Sequence, residues 1–423
     1  MMEQSSRERE EAVRQESLEG DCDEREQSRT SRAAVGIGAV GVGAVLAGVF
    51  LTSSGQSPDT ADRSLPLGCV NAKSDPFKAV GDSNADDTNA LAKAYAAAAG
   101  TGRPLYLPPG VYRVTRLPKF ASHATVSGAG ADLTTVLYEG DETLLALANV
   151  DGVSIQNLGL WVTGTTGTAI ELVDATRCAF DSVRVRGQHD ADTPFRSQTG
   201  IVLAGRTIGT SFINCDIDNC GIGARISSPF NSFTESKFST NYTSIWCQDG
   251  SIGAGLAISN SEFVSKAPAT DCHLRIEGDA GRWSLTNVWF EGAQSAIVVG
   301  QSGGNGPLQF GMTNCFVSGT GAGLDIQSCR HPYLANVIFA LDLNGLADSM
   351  LRIDPANAPA GIAINLVNSV VREFPVKTFP AGWTIYGNGG VIEAGGPTIQ
   401  GADGRTWRIT VSDRGEVGVT PAG

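Results

Sequence analysis

The sequence predicts a right-handed parallel β-helix, a solenoid in which short strands stack coil upon coil. Three observations lead there. A six-residue phrase recurs, opening at Ile155, Phe180, Phe212, Phe233, Ile258, Leu285, Met312, Leu334 and Leu366. Its successive spacings are 25, 32, 21, 25, 27, 27, 22 and 32 residues, the repeat length of a solenoid whose loops vary between coils. Apolar residues alternate inside each phrase, which is the period of a strand. The third position is Asn157, Ser182, Asn214, Glu235, Asn260, Asn287, Asn314, Asn336 and Asn368. Asparagine tolerates a left-handed backbone, so this column predicts a sharp bend in every coil, with the side chains bonding to one another from rung to rung.

The 423 residues include 52 glycines and only 18% charged residues, as many turns around one apolar core require. A formal net charge of −13 without a basic stripe excludes nucleic acid as a partner. Of the nine cysteines, Cys215 and Cys315 occupy the fourth, inward position of the phrase and are expected to be small buried thiols. Cys220, Cys247, Cys272 and Cys329 are left as candidates for one or two bridges.

Five segments follow along the chain. Residues 1–32 carry ten acidic and six basic side chains and predict a disordered tail. Residues 33–51 are uncharged and long enough, at about 1.5 Å per residue, to cross a bilayer core of roughly 30 Å. A signal-anchor, a cleaved export signal and a buried extension remain open for them; the first two place the rest of the chain outside the cytoplasm. Residues 52–74 read as a linker, 75–390 as the β-helix and 391–423 as a C-terminal cap of strands, in which 402–417 reads as two strands joined by turns. Such strands would cover the open end of the solenoid.

The entry to the β-helix has a distinct phrase. It runs Ala79-Val80-Gly81-Asp82-Ser83-Asn84-Ala85-Asp86-Asp87-Thr88, continues through an alanine-rich helix to Ala99, and ends in Pro108-Pro109-Gly110-Val111-Tyr112, with Ser127-Gly128-Ala129-Gly130 beyond. Asp86 or Asp87 is placed to cap the helix. This stretch resembles the start of pectate-lyase-like β-helix proteins related to glycoside hydrolase family 28. The resemblance implies the fold and a setting in polysaccharide chemistry. It leaves lyases, hydrolases, epimerases and phage tailspikes open, and with the tailspikes a homotrimer. The hydrolase family's own catalytic phrases are absent, so none of its residues is carried over.

Candidate site residues come from the columns that point outward. The fifth residue of each phrase and the residue after it face solvent. Over five rungs, about 4.8 Å apart, these are Arg184 and Arg186, Asp216 and Asp218, Lys237 and Ser239, Glu262 and Val264, and Trp289 and Glu291. Asp216, Asp218, Glu262 and Glu291 are candidate catalytic carboxylates, because glycosidic cleavage needs one protonated and one ionised carboxyl. Arg184, Arg186, Lys237 and Trp289 are candidate substrate-binding residues, with Trp289 stacking on a sugar face. If the reaction is a lyase, Asp216 and Asp218 would hold Ca²⁺ and Lys237 or an arginine would be the base. A second outward column, Glu171, Val202, Arg225, Trp246, Arg275, Val298, Asp325 and Arg352, and a loop histidine, His189, are weaker candidates. No zinc spacing, P-loop or dinucleotide fingerprint is present. The functional expectation is an extracytoplasmic polysaccharide-cleaving enzyme; the alternative is a non-catalytic glycan-binding or structural appendage.

Overall fold

The computed structural model describes residues 68–190, 195–265, 270–319 and 323–341, and beyond these individual strands only. The acidic tail, the apolar segment 33–51, most of the linker and the third position at Asn368 lie outside the described residues. Among the described residues no helix is long and apolar enough to cross a membrane.

The chain forms a parallel β-solenoid with three ladders of strands. The phrases at Ile155 and Phe180 lie in the continuous strands Ser154–Val162 and Ala179–Arg186, and from Phe212 onward the described phrases split into two short strands at the bend. The first halves, such as Ser211–Ile213, Asn231–Thr234, Leu256–Ser259 and Arg282–Thr286, pair in parallel register. So do the second halves, Asp216–Asp218, Lys237–Ser239, Glu262–Val264 and Trp289–Ala293. A third ladder of nine strands runs from Thr143–Ala148 to Leu351–Ile353. The phrase-to-phrase register is the one the repeat predicts: Phe180 pairs with Phe212, Phe212 with Phe233 and Phe233 with Ile258.

The bend between half-phrases is a single residue in left-handed conformation. All eight described third positions, Ser182 and Glu235 included, have φ between 49° and 56°. The asparagine ladder forms pairwise, Asn287 Nδ2 donating to Asn260 Oδ1 (3.1 Å) and Asn336 Nδ2 to Asn314 Oδ1 (2.6 Å). Asn214 Nδ2 donates to Ser182 Oγ at 3.0 Å, so serine can serve in the column.

The core is continuous because every inward position is apolar or small. Phe180, Phe212 and Phe233 stack with centroids 4.7 and 4.6 Å apart, and Phe238, Phe263 and Phe290 form a second stack at 4.7 Å. The fourth position, where the chain leaves the bend, is buried in all eight described phrases. Cys215 and Cys315 are buried thiols, as expected, and burial pushes them up to about 12 and about 11. Cys220, Cys247, Cys272 and Cys329 are also free and buried, which corrects the expectation of bridges: Cys220, Cys247 and Cys329 belong to the apolar core, and the Cys272 thiol lies 3.2 Å from the Leu274 carbonyl oxygen.

Several polar side chains enter the interior to satisfy backbone groups. Asn241 is fully buried; its Oδ1 accepts the Cys220 N–H (2.8 Å) and its Nδ2 donates to the Ile217 carbonyl (2.9 Å). Asn231 does the same one corner away, between the Thr210 N–H and the Thr207 carbonyl. His273 is buried, its Nε2 donating to the Glu291 carbonyl (2.8 Å), which leaves Nδ1 to accept from the Ser244 hydroxyl (3.3 Å).

The entry phrase is an assembly of short-range contacts. Asp82 Oδ1 accepts the N–H groups of Asn84 and Ala85. Asp86 Oδ1 accepts the Thr88 N–H (3.0 Å) at the start of α1 (Thr88–Thr101). Asp87, the residue at the N-cap, makes no side-chain cap; its carboxylate instead holds the Val80 and Gly81 N–H groups at 2.7 and 2.9 Å. Tyr112 is buried and donates to the Pro108 carbonyl (2.7 Å). A Cβ on Gly81 would lie 3.1 Å from the Tyr112 ring, and one on Gly110 would lie 2.7 Å from the Gly81 carbonyl oxygen. Helix α1 buries Leu91, Ala94, Tyr95 and Ala98. Near the C-terminus, Thr398–Gln400, Thr406–Val411 and Val417–Pro421 form an antiparallel sheet; only Thr406–Val411 lies within the 402–417 stretch read as two strands, and the last strand begins where that stretch ends.

Two outcomes are expected. Asn241→Ala leaves a buried N–H and a buried carbonyl unpaired, so denaturant unfolding should register a loss of about 2–4 kcal/mol. Asn287→Gly keeps the left-handed bend and should cost less than about 1 kcal/mol. Burial also lowers the His273 pKa from 6.5 to about 4. The unfolded chain therefore binds one more proton than the folded chain between those values. Stability should fall as pH drops from about 6.5 to about 4, by roughly 3 kcal/mol, and His273→Gln should flatten that slope in pH-dependent thermal melts.

Candidate functional site

The second ladder brings the predicted strip together. Its register runs Gly159, Arg184, Asp216, Lys237, Glu262, Trp289 and Phe316 in one column. The adjoining column runs Trp161, Arg186, Asp218, Ser239, Val264 and Glu291. Short strands flanked by left-handed corners fix the direction of each side chain, and alternation sends both columns outward.

The residues are not equally available. Asp216 is exposed and forms no ion pair among the described residues. Asp218, two residues on, is buried at 7% exposure, which corrects the expectation of an open carboxylate. Arg184 covers it, with Nη2 3.0 Å from Asp218 Oδ2 and Nη1 2.8 Å from Asp132 Oδ1. Burial pushes the Asp218 carboxyl up, against the opposing pull of Arg184. Two carboxyls on one strand thus sit in unlike surroundings, one dry and one wet, the condition under which an acid and a base divide their roles.

Farther along, Lys237 Nζ pairs with Glu262 Oε1 at 2.6 Å, with both side chains about half exposed. Trp289 Nε1 donates to Glu291 Oε2 (2.9 Å), and the Trp289 ring stacks on Phe316 with centroids 3.9 Å apart. One face of that indole is therefore occupied by the next rung, and the ring has less to offer a sugar than the sequence implies. Arg186 is exposed and its guanidinium lies 5.2 Å from the Trp161 ring centroid. A depression of about 210 Å³ opens at this end of the strip, lined by Asp132, Thr135, Trp161, Arg184 and Arg186 among others. Asp132 and Thr135 escape sequence reasoning. Asp132 lies in the turn before its strand and reaches Arg184 across 52 residues of chain, outside any periodic column.

The outward column of the third ladder is in the predicted register, from Glu171 through Val202, Arg225, Trp246, Arg275, Val298 and Asp325 to Arg352. There Arg225 lies 5.8 Å from the Trp246 ring centroid and Arg275 pairs with Asp271 at 3.1 Å. His189 is not a solvated loop histidine: it is 1% exposed and its ring packs edge-on against Tyr242. Beside it, buried Gln198 accepts from the Gln188 N–H and donates to the Val162 and Gly164 carbonyls.

Ca²⁺ takes six to eight oxygen ligands. Among the described residues no three His, Cys, Asp or Glu side chains gather. One oxygen of Asp218 is held by Arg184 and the other is buried. The Asp216–Asp218 donor set does not fit that ion.

A parallel β-solenoid with charged outward columns defines a class of proteins, and the chain can be placed within it. It belongs to the family described as rhamnogalacturonase A/epimerase, pectate lyase-like, whose model matches residues 70–347. No curated protein matches the chain. Similar solved structures include the A-module of the mannuronan C-5 epimerase AlgE4 from Azotobacter vinelandii, at 12% identity and a TM-score of 0.47 over 75% of this chain and 100% of that one. The Dettilon tailspike protein is similar at 11% identity and a TM-score of 0.43, over 81% and 76%. The endo-xylogalacturonan hydrolase from Aspergillus tubingensis is similar at 14% identity and a TM-score of 0.43, over 73% and 92%.

The Arg184–Asp218 contact has a measurable consequence. Arg184→Gln removes the cation that opposes burial, so the Asp218 carboxyl should titrate higher than in the parent chain. Carbon-detected NMR titration of the carboxyl would read it, and an unchanged or lowered midpoint would contradict the contact.

Proposed function

We propose that this chain is a polysaccharide-cleaving enzyme that takes its glycan along the second ladder. One observation carries the reading: the register sets Arg184, Asp216, Lys237, Glu262 and Trp289 over one another on successive rungs. A polymer running parallel to the solenoid axis would meet carboxyls, cations and an aromatic in order. Membership of a pectate lyase-like family supports the substrate class.

In this reading Asp218 is the acid and Asp216 the ionised carboxylate. Burial favours the protonated form of Asp218 against the pull of Arg184, and in this role the carboxyl delivers its proton to the glycosidic oxygen of the leaving group. Arg184, whose side chain is 38% exposed, turns from Asp218 toward the glycan as the chain seats, opening the carboxyl to it. Asp216 faces solvent, where it can attack or direct water. Lys237 and Arg186 hold substrate hydroxyls or carboxylates, and Glu262 and Glu291 fix Lys237 and Trp289. A polymeric substrate does not cross a membrane unaided, so the reading carries export with it, through residues 33–51.

A non-catalytic glycan-binding module is the second reading, favoured by one observation. The Lys237–Glu262 pair and the Arg184 clamp satisfy one another as charges on an idle sheet face do. Product analysis on a panel of acidic and neutral polysaccharides decides between them. The enzyme reading expects cleavage that survives chelation and falls by about 10²–10⁴-fold in Asp216→Asn and Asp218→Asn. Binding without product on the whole panel would establish the module instead.

A further inference from the structure

The Arg184–Asp218 pair is half of a fork. An arginine beside a carboxylate is frequently bidentate, with two parallel N–H···O bonds. Here Arg184 Nη2 lies 3.0 Å from Asp218 Oδ2, and the second bond of such a fork, from Nε to Oδ1, is not made. Both of those atoms are buried, and neither has a hydrogen-bond partner among the described residues. A donor and an acceptor thus stand unmet within one ion pair, a cost that closing the fork would remove.

Asp132 holds the other end of the guanidinium, its Oδ1 lying 2.8 Å from Arg184 Nη1. The turn that carries it is braced. The Leu133 and Thr134 N–H groups donate to the Gly130 carbonyl at 3.0 and 2.9 Å, and the Gly130 N–H donates to the Asn157 carbonyl at 2.9 Å. The same turn leans on the strip. A Cβ on Gly159, one rung before Arg184, would lie 2.8 Å from the Ala131 carbonyl oxygen. Glycine at that point of the column lets the turn come close enough for Asp132 to reach the guanidinium. The other charges around Asp218 make no such contact. Arg186, one rung before, and Asp216, on the same strand, act on it through space. The residue opposite it on the next rung is the uncharged Ser239, and burial pushes the nearby Cys220 thiol up.

We propose that Asp132 is a positioning residue: from its braced turn it holds Arg184 by Nη1, so that the guanidinium gives Asp218 one hydrogen bond instead of two. The proposal rests on the reading of Asp218 as the acid and deepens it. One bond stabilises the ionised carboxylate less than a full fork would, and it leaves Arg184 a single contact to break as a glycan seats.

Asp132→Asn tests it on the full chain. The Asp132 side chain is 80% exposed, so thermal melts should stay near the parent value. Released at Nη1, Arg184 closes the fork, and the Asp218 carboxyl should titrate about 1 pH unit lower in carbon-detected NMR. Loss of a carboxylate could also act directly through space and in the same direction, and Arg184→Gln separates the two effects. In that background Asp132→Asn should leave the midpoint where Arg184→Gln alone puts it. The proposal is overturned if Asp132→Asn leaves the midpoint unchanged or raises it, or if it lowers the midpoint as far in the Arg184→Gln background as in the parent chain. On a polysaccharide that the chain cleaves, Asp132→Asn should move the alkaline limb of the kcat/KM profile down by the same interval, a loss of about tenfold above that limb. The two readings fail separately. A midpoint that shifts through Arg184 with no polysaccharide cleaved removes the enzyme and keeps the positioning role; cleavage lost in Asp218→Asn with a midpoint indifferent to Asp132 removes the positioning role and keeps the enzyme.

Discussion

Parallel in-register stacking is the constraint on which the rest of this structure depends. Each residue lies over its counterpart one rung away, at about 4.8 Å, so every column must be compatible with itself. The interior meets this with like on like: phenylalanine rings stack at 4.6–4.7 Å through two separate columns. The bend meets it with asparagine, whose amide can donate to one neighbour and accept from another. The outer face meets it by alternation of sign, since like charges directly opposite destabilise a ladder. Arg184, Asp216, Lys237 and Glu262 alternate without exception.

The same constraint makes the outer face ambiguous. An alternating column is what stacking alone demands, so alternation by itself says nothing of catalysis. What distinguishes the strip is its departure from uniform solvation. Asp218 is dry while Asp216 is wet, and Arg184 leaves the simple rung-to-rung pairing to bridge two carboxylates from different coils. A solvated sheet face gains little from such an arrangement, because exposed ion pairs contribute only about 0–1 kcal/mol. A buried carboxylate costs more than that unless it is paired. Asp218 meets that condition through Arg184, and the pair sets this point of the strip apart from the solvated face around it.

How far the sequence could be read follows from the same geometry. Inward positions, left-handed corners and both outward columns were legible because each depends only on place within the repeat. Cys215 and Cys315 were placed correctly for that reason. Contacts made sideways or across coils were not legible. Asp132 reaches Arg184 from a turn outside the phrase, Trp289 lays one face of its ring on Phe316, and His189 is buried with its ring against Tyr242. The four cysteines offered for bridging look alike in sequence, and only their burial separates a packed thiol from a bonded one.

The segment by which the family is recognised turns out to be occupied with folding. Asp82, Asp86 and Asp87 use their carboxylates on backbone N–H groups, Tyr112 is buried with its hydroxyl engaged, and Gly81 and Gly110 are small because each lies against the other's strand. The family's shared phrase thus serves the start of the solenoid, while the candidate site residues lie in columns farther along, where one residue can change without disturbing the stack. A single architecture can then serve several reactions on the same kind of polymer. The activity proposed for this chain is argued from Arg184, Asp216, Asp218 and their neighbours, not from the phrase that names its fold.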